Sequence, residues 1–362
     1  MPATLKRPRI HGGQAEGLPL ADFSVDINPF GCPESVRSTI LSALDTIERY
    51  PDPRAHALRE AFAAPHHLGA GSILPGNGSA ELIGLIVQAL RPARALIVVP
   101  TFTEYAWALE QAGATIHDAL TQEADGFQWP DPRAAWIPPL DEIDLVFLCN
   151  PNNPTGVAIP RAQVLALAAR CEATRTTLVV DEAFVEWTDA PEQISVASAV
   201  SDYEHLIVLR SLTKLFAVPG LRLGYLAAPP ERVDLLRDHQ PAWPLNALAI
   251  AVGQQLMKET AYADRSRRLV RQCVQTLSKA LSHLPGLRPF PSSTNFIFCK
   301  LATPHLTSEE LCAQLALQGC TVRNCDDFEG LAPGRFIRIG VRTPADNDRL
   351  VSALREILHH AG

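Results

Sequence analysis

Leu209-Arg210-Ser211-Leu212-Thr213-Lys214-Leu215-Phe216-Ala217-Val218-Pro219-Gly220-Leu221-Arg222-Leu223-Gly224-Tyr225 is the stretch that organises the whole chain. An apolar run at 206–209 leads into it and a second at 222–226 leaves it, so a turn rich in hydroxyl and basic groups sits between two strand-like segments. Similar short runs, rich in branched residues, recur at 95–99, 145–149 and 177–180, with helix-length stretches between them. Strands buried on both faces that alternate with helices predict an α/β fold with a mostly parallel central sheet.

Between the runs, Leu82, Ile83, Ile86, Val87 and Leu90 fall at helical spacing, as do Val164, Leu165, Leu167 and Ala168. After Trp243-Pro244-Leu245-Asn246 a long helical pattern runs through Met257 and Leu269 to Leu281. Strand-like segments at 295–301 and 335–341 then flank a helix at 308–318, which predicts a smaller α+β domain. The expected division is a large domain over 31–250, a small domain over 251–362 and an N-terminal segment, 1–30, packed on the small domain.

Composition narrows the function. With 362 residues and 47% hydrophobic side chains the chain can fill a substantial core. A net charge of −7, from 32 basic and 39 acidic residues, comes without a block of like charge, so neither nucleic acid nor a membrane surface is the expected partner. The eight cysteines lack C-x-x-C spacing and read as buried free thiols of a reducing compartment, not as zinc ligands or disulfides. The first ten residues lack the apolar centre of a secretory signal, and no later run reaches the ~18 apolar residues of a spanning helix. A small soluble ligand and a cytoplasmic location are expected.

The opening stretch suggests which ligand. An amine that attacks an aldehyde must be partly neutral, which desolvation and nearby positive charge favour. Lys214 follows an apolar strand and has Arg222 eight positions on. Ser211 and Thr213 can donate hydroxyl hydrogen bonds to a phosphate, and Arg222 can grip the same dianion with its fork. Taken together these features predict covalently held pyridoxal phosphate.

Three segments upstream fit that reading. Asp181, in Val179-Val180-Asp181-Glu182-Ala183-Phe184, ends a buried strand and is placed to pair with a pyridine nitrogen, although a strand-end Asp also serves as a helix cap. Asn153, in Cys149-Asn150-Pro151-Asn152-Asn153-Pro154-Thr155-Gly156, can donate to the ring oxygen from a rigid turn, or simply build the turn. Gly78, Ser79 and Ala80, in Pro75-Gly76-Asn77-Gly78-Ser79-Ala80-Glu81, open a helix whose unpaired N–H groups can cradle a phosphate. Tyr105, after Pro100-Thr101-Phe102, is expected to stack on the cofactor ring, with a core aromatic as the plainer alternative.

In this order the motifs resemble the fold-type I pyridoxal-phosphate enzymes, in the branch of histidinol-phosphate aminotransferase. His11-Gly12-Gly13, Phe23-Ser24-Val25-Asp26-Ile27-Asn28-Pro29-Phe30-Gly31, Ile47-Glu48-Arg49-Tyr50-Pro51-Asp52, Val322-Arg323-Asn324-Cys325 and Arg335-Phe336-Ile337-Arg338-Ile339-Gly340-Val341-Arg342 extend the likeness toward the threonine-phosphate decarboxylases. That resemblance implies decarboxylation of a phosphorylated amino acid to aminopropanol phosphate for cobalamin. The alternative is transamination of histidinol phosphate or an aromatic amino acid.

The resemblance also assigns roles. Lys214 would carry the cofactor, Asp181 its nitrogen and Asn153 its ring oxygen. Ser211, Thr213, Arg222 and the amides of Gly78, Ser79 and Ala80 would hold its phosphate, with Tyr50 reaching in from the second subunit of a homodimer with shared active sites. Arg338 would bind the substrate carboxylate, Arg323 and His11 its phosphate, and Asn28 and Arg342 would lie near the substrate. Where aminotransferases of this branch usually read D-E-A-Y, this chain has Phe184 in place of the tyrosine.

Overall fold

The structure is a computed structural model in which residues 12–13, 21–129 and 139–360 are described. Its strands are β1 (Ala21–Phe23), β2 (Ile73–Gly76), β3 (Arg94–Val99), β4 (Thr115–Leu120), β5 (Leu145–Cys149) and β6 (Thr177–Asp181), followed by β7 (Leu206–Ser211) and β8 (Gly224–Ala227). The last four are β9 (Leu287–Pro289), β10 (Phe296–Leu301), β11 (Cys320–Asn324) and β12 (Phe336–Gly340). Seven of them form a sheet in the order β2-β8-β7-β6-β5-β3-β4.

Within that sheet β4, β3, β5, β6 and β7 run parallel, and β8 is antiparallel to both β7 and β2. The antiparallel strand has a local cause. Parallel return needs a crossover, whereas residues 212–223 carry no helix beyond the short turn Pro219–Leu221 and bring the chain straight back. Alternate residues of the central strands feed different cores: Leu178, Val180 and Val208 pack in one, Val179, Ile207 and Leu209 in the other. Helices Ser79–Leu90 and Glu104–Gln111 cover the second face, while Arg161–Thr174 and Ala247–Leu256 cover the first. Burial on both faces explains why these strands read as continuous apolar runs.

The smaller sheet has the order β1-β11-β12-β10-β9, with β1 parallel to β11. The N-terminal strand thus completes a sheet whose other members lie some 260 or more residues downstream. The long helical pattern after residue 246 is two helices, Ala247–Leu256 and Thr260–Ser282, broken where Lys258 and Glu259 donate their N–H groups to Gln255 and Leu256 three residues back. All eight cysteines are free thiols, although Cys32 and Cys312 are partly exposed. No helix among the described residues is long and apolar enough to cross a membrane.

Candidate active site

The parallel register brings three motif segments to one edge. Cys149 pairs with Asp181, and Asp181 with Leu209, so β5, β6 and β7 end side by side where a crevice forms outside the carboxyl ends of parallel strands. A cavity of about 300 Å³ lies there. Gly78, Ser79, Ala80, Asn153, Asp181, Ser211, Thr213, Lys214 and Arg222 line it, together with Tyr105, Arg323 and Arg338.

Asp181 is buried and accepts the Tyr105 hydroxyl at 2.7 Å and the Ala183 N–H at 3.0 Å. Burial pushes its carboxyl up from the ordinary range, against the opposing pull of Tyr105, the Lys214 charge and Ala183. A cationic ring nitrogen would favour the ionised form. Lys214 places its Nζ 3.3 Å from Ser211 Oγ and 5.7 Å from the centre of the Phe184 ring, and Ser211 Oγ lies 2.9 Å from Thr213 Oγ1. Phe184 meets Phe296 edge-on at 5.1 Å, closing the apolar side.

Gly78 caps the helix Ser79–Leu90 with φ +85, and a Cβ there would stand 2.6 Å from Arg222 Nη2. Only glycine leaves that space open, between free first-turn N–H groups and a guanidinium.

The opposite wall comes from the small sheet. Arg323 on β11 and Arg338 on β12 are direct cross-strand partners, and like charges so placed repel. Each carries its own carboxylate. Arg323 Nη2 contacts Asp327 at 2.8 and 2.6 Å, and Arg338 Nη2 lies 3.7 Å from Asp26. Arg338 also donates to Asn153 Oδ1 at 2.5 Å and to the Ser24 carbonyl at 2.9 Å. Its buried Nε has no hydrogen-bond partner among the described residues.

Several sequence expectations need correction. Tyr105 does not present its ring for stacking: it is fully buried in the first turn of Glu104–Gln111, parallel to Phe147 at 4.8 Å, with its hydroxyl on Asp181. Phe102, three residues earlier and ahead of that helix, also lines the cavity, and its place just past β3 was the available signal. Asn28 is not part of the cavity wall; its amide is spent on the Leu215 carbonyl at 2.8 Å and the Tyr262 hydroxyl at 2.9 Å. Arg342 is likewise drawn away, to Asp346 at 3.1 Å, the Asp22 carbonyl and the Phe23 ring.

Tyr50 is 81% exposed and lies against Trp243 at 4.6 Å, outside its own chain's cavity. His11 lies outside the described residues, although its neighbour Gly12 lines the cavity. Ser24, Asp26 and Phe328 also line it without having been expected.

Residues 19–354 match the aminotransferase class I and II family. The chain belongs to that family. Within it, the chain is 38% identical to the threonine-phosphate decarboxylase of Salmonella typhimurium over 94% of its own length and 91% of that protein's. It is 31% identical to the histidinol-phosphate aminotransferase of Caldanaerobacter subterraneus subsp. tengcongensis, over 95% of each. The fold superposes on the crystal structure of L-threonine-O-3-phosphate decarboxylase from Porphyromonas gingivalis with a TM-score of 0.83 at 26% identity, covering 93% of this chain and 99% of that one.

This class I and II aminotransferase fold has pyridoxal phosphate as its cofactor, and the cavity fits it. The glycine-lined space beside Arg222 suits a phosphate, Asp181 suits a protonated ring nitrogen, and Lys214 supplies the one amine among the cavity-lining residues.

Proposed function

We propose that the chain decarboxylates L-threonine O-phosphate to aminopropanol phosphate and CO₂, the amine that the resemblance places in cobalamin assembly. The observation that carries this reading is the pair Arg323 and Arg338, buried side by side in the cavity that holds Lys214. Two fixed cations suit a substrate with two anionic ends. Bound pyridoxal phosphate supplies an electron sink for the pair released when a bond to the substrate Cα breaks.

The chain's residues decide which bond that is. Arg338 holds the carboxylate through its unpartnered Nε, and Arg323 holds the phosphate, with His11 as a second candidate. Holding both ends fixes the rotation about Cα, and CO₂ leaves in place of a proton. Asp181 balances positive charge at the ring nitrogen, and Lys214 Nζ returns a proton to Cα before releasing the product. The Phe184 ring gives the cavity an apolar face where a tyrosine would have presented a hydroxyl.

A homodimer belongs to the same reading. Tyr50, Ile47 and Leu41, within ten residues of one another, are 81%, 63% and 70% exposed, and a second copy would cover them while Tyr50 enters that copy's phosphate site. The test of function is incubation of the pure protein with threonine phosphate and no keto acid. Sustained multiple-turnover CO₂ release supports decarboxylation; turnover only with a keto acid, and none of CO₂, replaces it with transamination.

A further inference from the structure

We infer that Asn28 is a positioning residue that fixes the backbone of Lys214, and so aims its amine, without touching substrate. This rests on the reading of Lys214 as the covalent anchor of the cofactor. The turn that carries Lys214 is shaped against its own preferences: Ala217 and Arg222 both adopt left-handed backbone angles, φ +50 and +51, at a cost of roughly 1–2 kcal/mol each. Two of its internal hydrogen bonds are long, Phe216 N to the Leu212 carbonyl at 3.3 Å and Ala217 N to the Lys214 carbonyl at 3.4 Å, and Val218 N reaches the Thr213 carbonyl at 3.1 Å. Such a turn keeps its shape only when other parts of the fold over-determine it.

Asn28 supplies that constraint at two consecutive carbonyls. Its backbone N–H donates to Lys214 at 2.9 Å, and its side-chain Nδ2 donates to Leu215 at 2.8 Å. The amide is itself held. Nδ2 also reaches the Tyr262 hydroxyl at 2.9 Å, Tyr262 donates in turn to the Gly31 carbonyl, and Oδ1 accepts the Phe30 N–H at 3.1 Å. At 3% exposure the amide bonds are sheltered from water. The same short segment ends on the other wall, where the Ser24 carbonyl accepts Arg338 and Asp26 faces it. Five residues therefore link the carboxylate-binding arginine to the turn of the lysine.

Capture of the cofactor measures the aim of the amine: Nζ adds to the aldehyde carbon with loss of water, and borohydride then delivers hydride to the C=N bond, leaving a stable secondary amine. Pyridoxamine phosphate, with an amine in place of the aldehyde, makes the same non-covalent contacts but cannot bond to Lys214. Full-length protein stripped of cofactor, with Asn28 intact or as Asn28→Asp and Asn28→Ala, is to be mixed with each compound. Borohydride-fixed label at Lys214 is followed by peptide mass, and pyridoxamine phosphate affinity by fluorescence.

The expected result is capture slowed roughly tenfold or more, with pyridoxamine phosphate affinity within about threefold of the parent. Tyr262→Phe, which loosens the amide and leaves Asn28 in place, should slow capture by about threefold, and it carries the test if the Asn28 variants do not fold. Unchanged capture in every folded variant overturns the inference, and so does a parallel loss of both compounds, which marks general damage to the cavity. Label that never appears at Lys214 in the parent protein overturns the anchor reading itself.

Discussion

The two walls of the cavity are built in different ways. Asp181, Ser211, Asn153 and the Gly78 loop each sit within a few residues of the end of a strand in one sheet, so the register that pairs the strands also assembles the wall. The facing wall draws Arg323 and Arg338 from the small sheet, Ser24 and Asp26 from an N-terminal segment, and Phe328 from a loop. One wall is delivered by local sequence, the other by pairing across nearly the whole chain. The first should carry chemistry that tolerates little change, and the second should set which substrate is processed.

The largest effect should break the first wall. In the proposed mechanism Lys214→Ala removes both the covalent anchor and the proton donor, and decarboxylation should fall by roughly 10⁴-fold in kcat with the fold intact by circular dichroism. A variant within about tenfold of the parent would remove the lysine from the chemistry. On the second wall, Arg338→Gln should cost about 100-fold in kcat/KM for threonine phosphate. Arg323→Gln should instead narrow the preference for threonine phosphate over threonine, measured as the ratio of their kcat/KM values, because on the proposed reading it withdraws a partner from the phosphate alone. If the two variants lose the same discrimination, the two arginines do not divide the carboxylate and the phosphate between them in this way.

Gly78→Ala tests the first wall more gently. A methyl group at φ +85, 2.6 Å from Arg222 Nη2, must displace the guanidinium or distort the helix start. Cofactor affinity should drop by roughly tenfold, read by equilibrium dialysis, while substrate discrimination stays unchanged.

What could be read in the sequence follows the same division. Motifs at strand ends were legible because a buried parallel strand announces itself as an apolar run and its last residue must face the crevice. Tyr105 misled because position alone does not tell how a ring in a helix turn is turned; it packs on Phe147 with its hydroxyl on Asp181, and both it and Phe102 line the cavity. Asn28 and Arg342 misled for a different reason: their polar atoms are claimed by Leu215, Tyr262, Asp346 and Asp22, partners set by tertiary packing. The antiparallel β8 was also hidden, since an apolar run does not declare its direction.

The smallest effect concerns what stiffens the first wall from behind. Ser211 and Asp181 are flanked by Arg210 and Glu182, a buried pair at 3.1 Å, and the neighbouring strand β8 carries Tyr225, whose hydroxyl meets His66 Nε2 at 2.7 Å. Burial, and then the Arg210 charge, push the His66 imidazole down to about 3. An unfolded histidine takes its proton near 6.5, so between that pH and about 3 the unfolded chain binds a proton that the folded chain refuses. Stability is therefore present above pH ~6.5 and is lost as the pH falls through this window, on the order of 1.4 kcal/mol per unit at most. His66→Gln keeps a polar partner for Tyr225 but cannot titrate. Urea unfolding at a series of pH values should show a flatter acid limb, by about one proton, with activity at neutral pH within about twofold. An acid limb as steep as the parent's would mean that His66 is protonated in the folded protein, and that the support behind the cofactor wall is electrostatically softer than its burial implies.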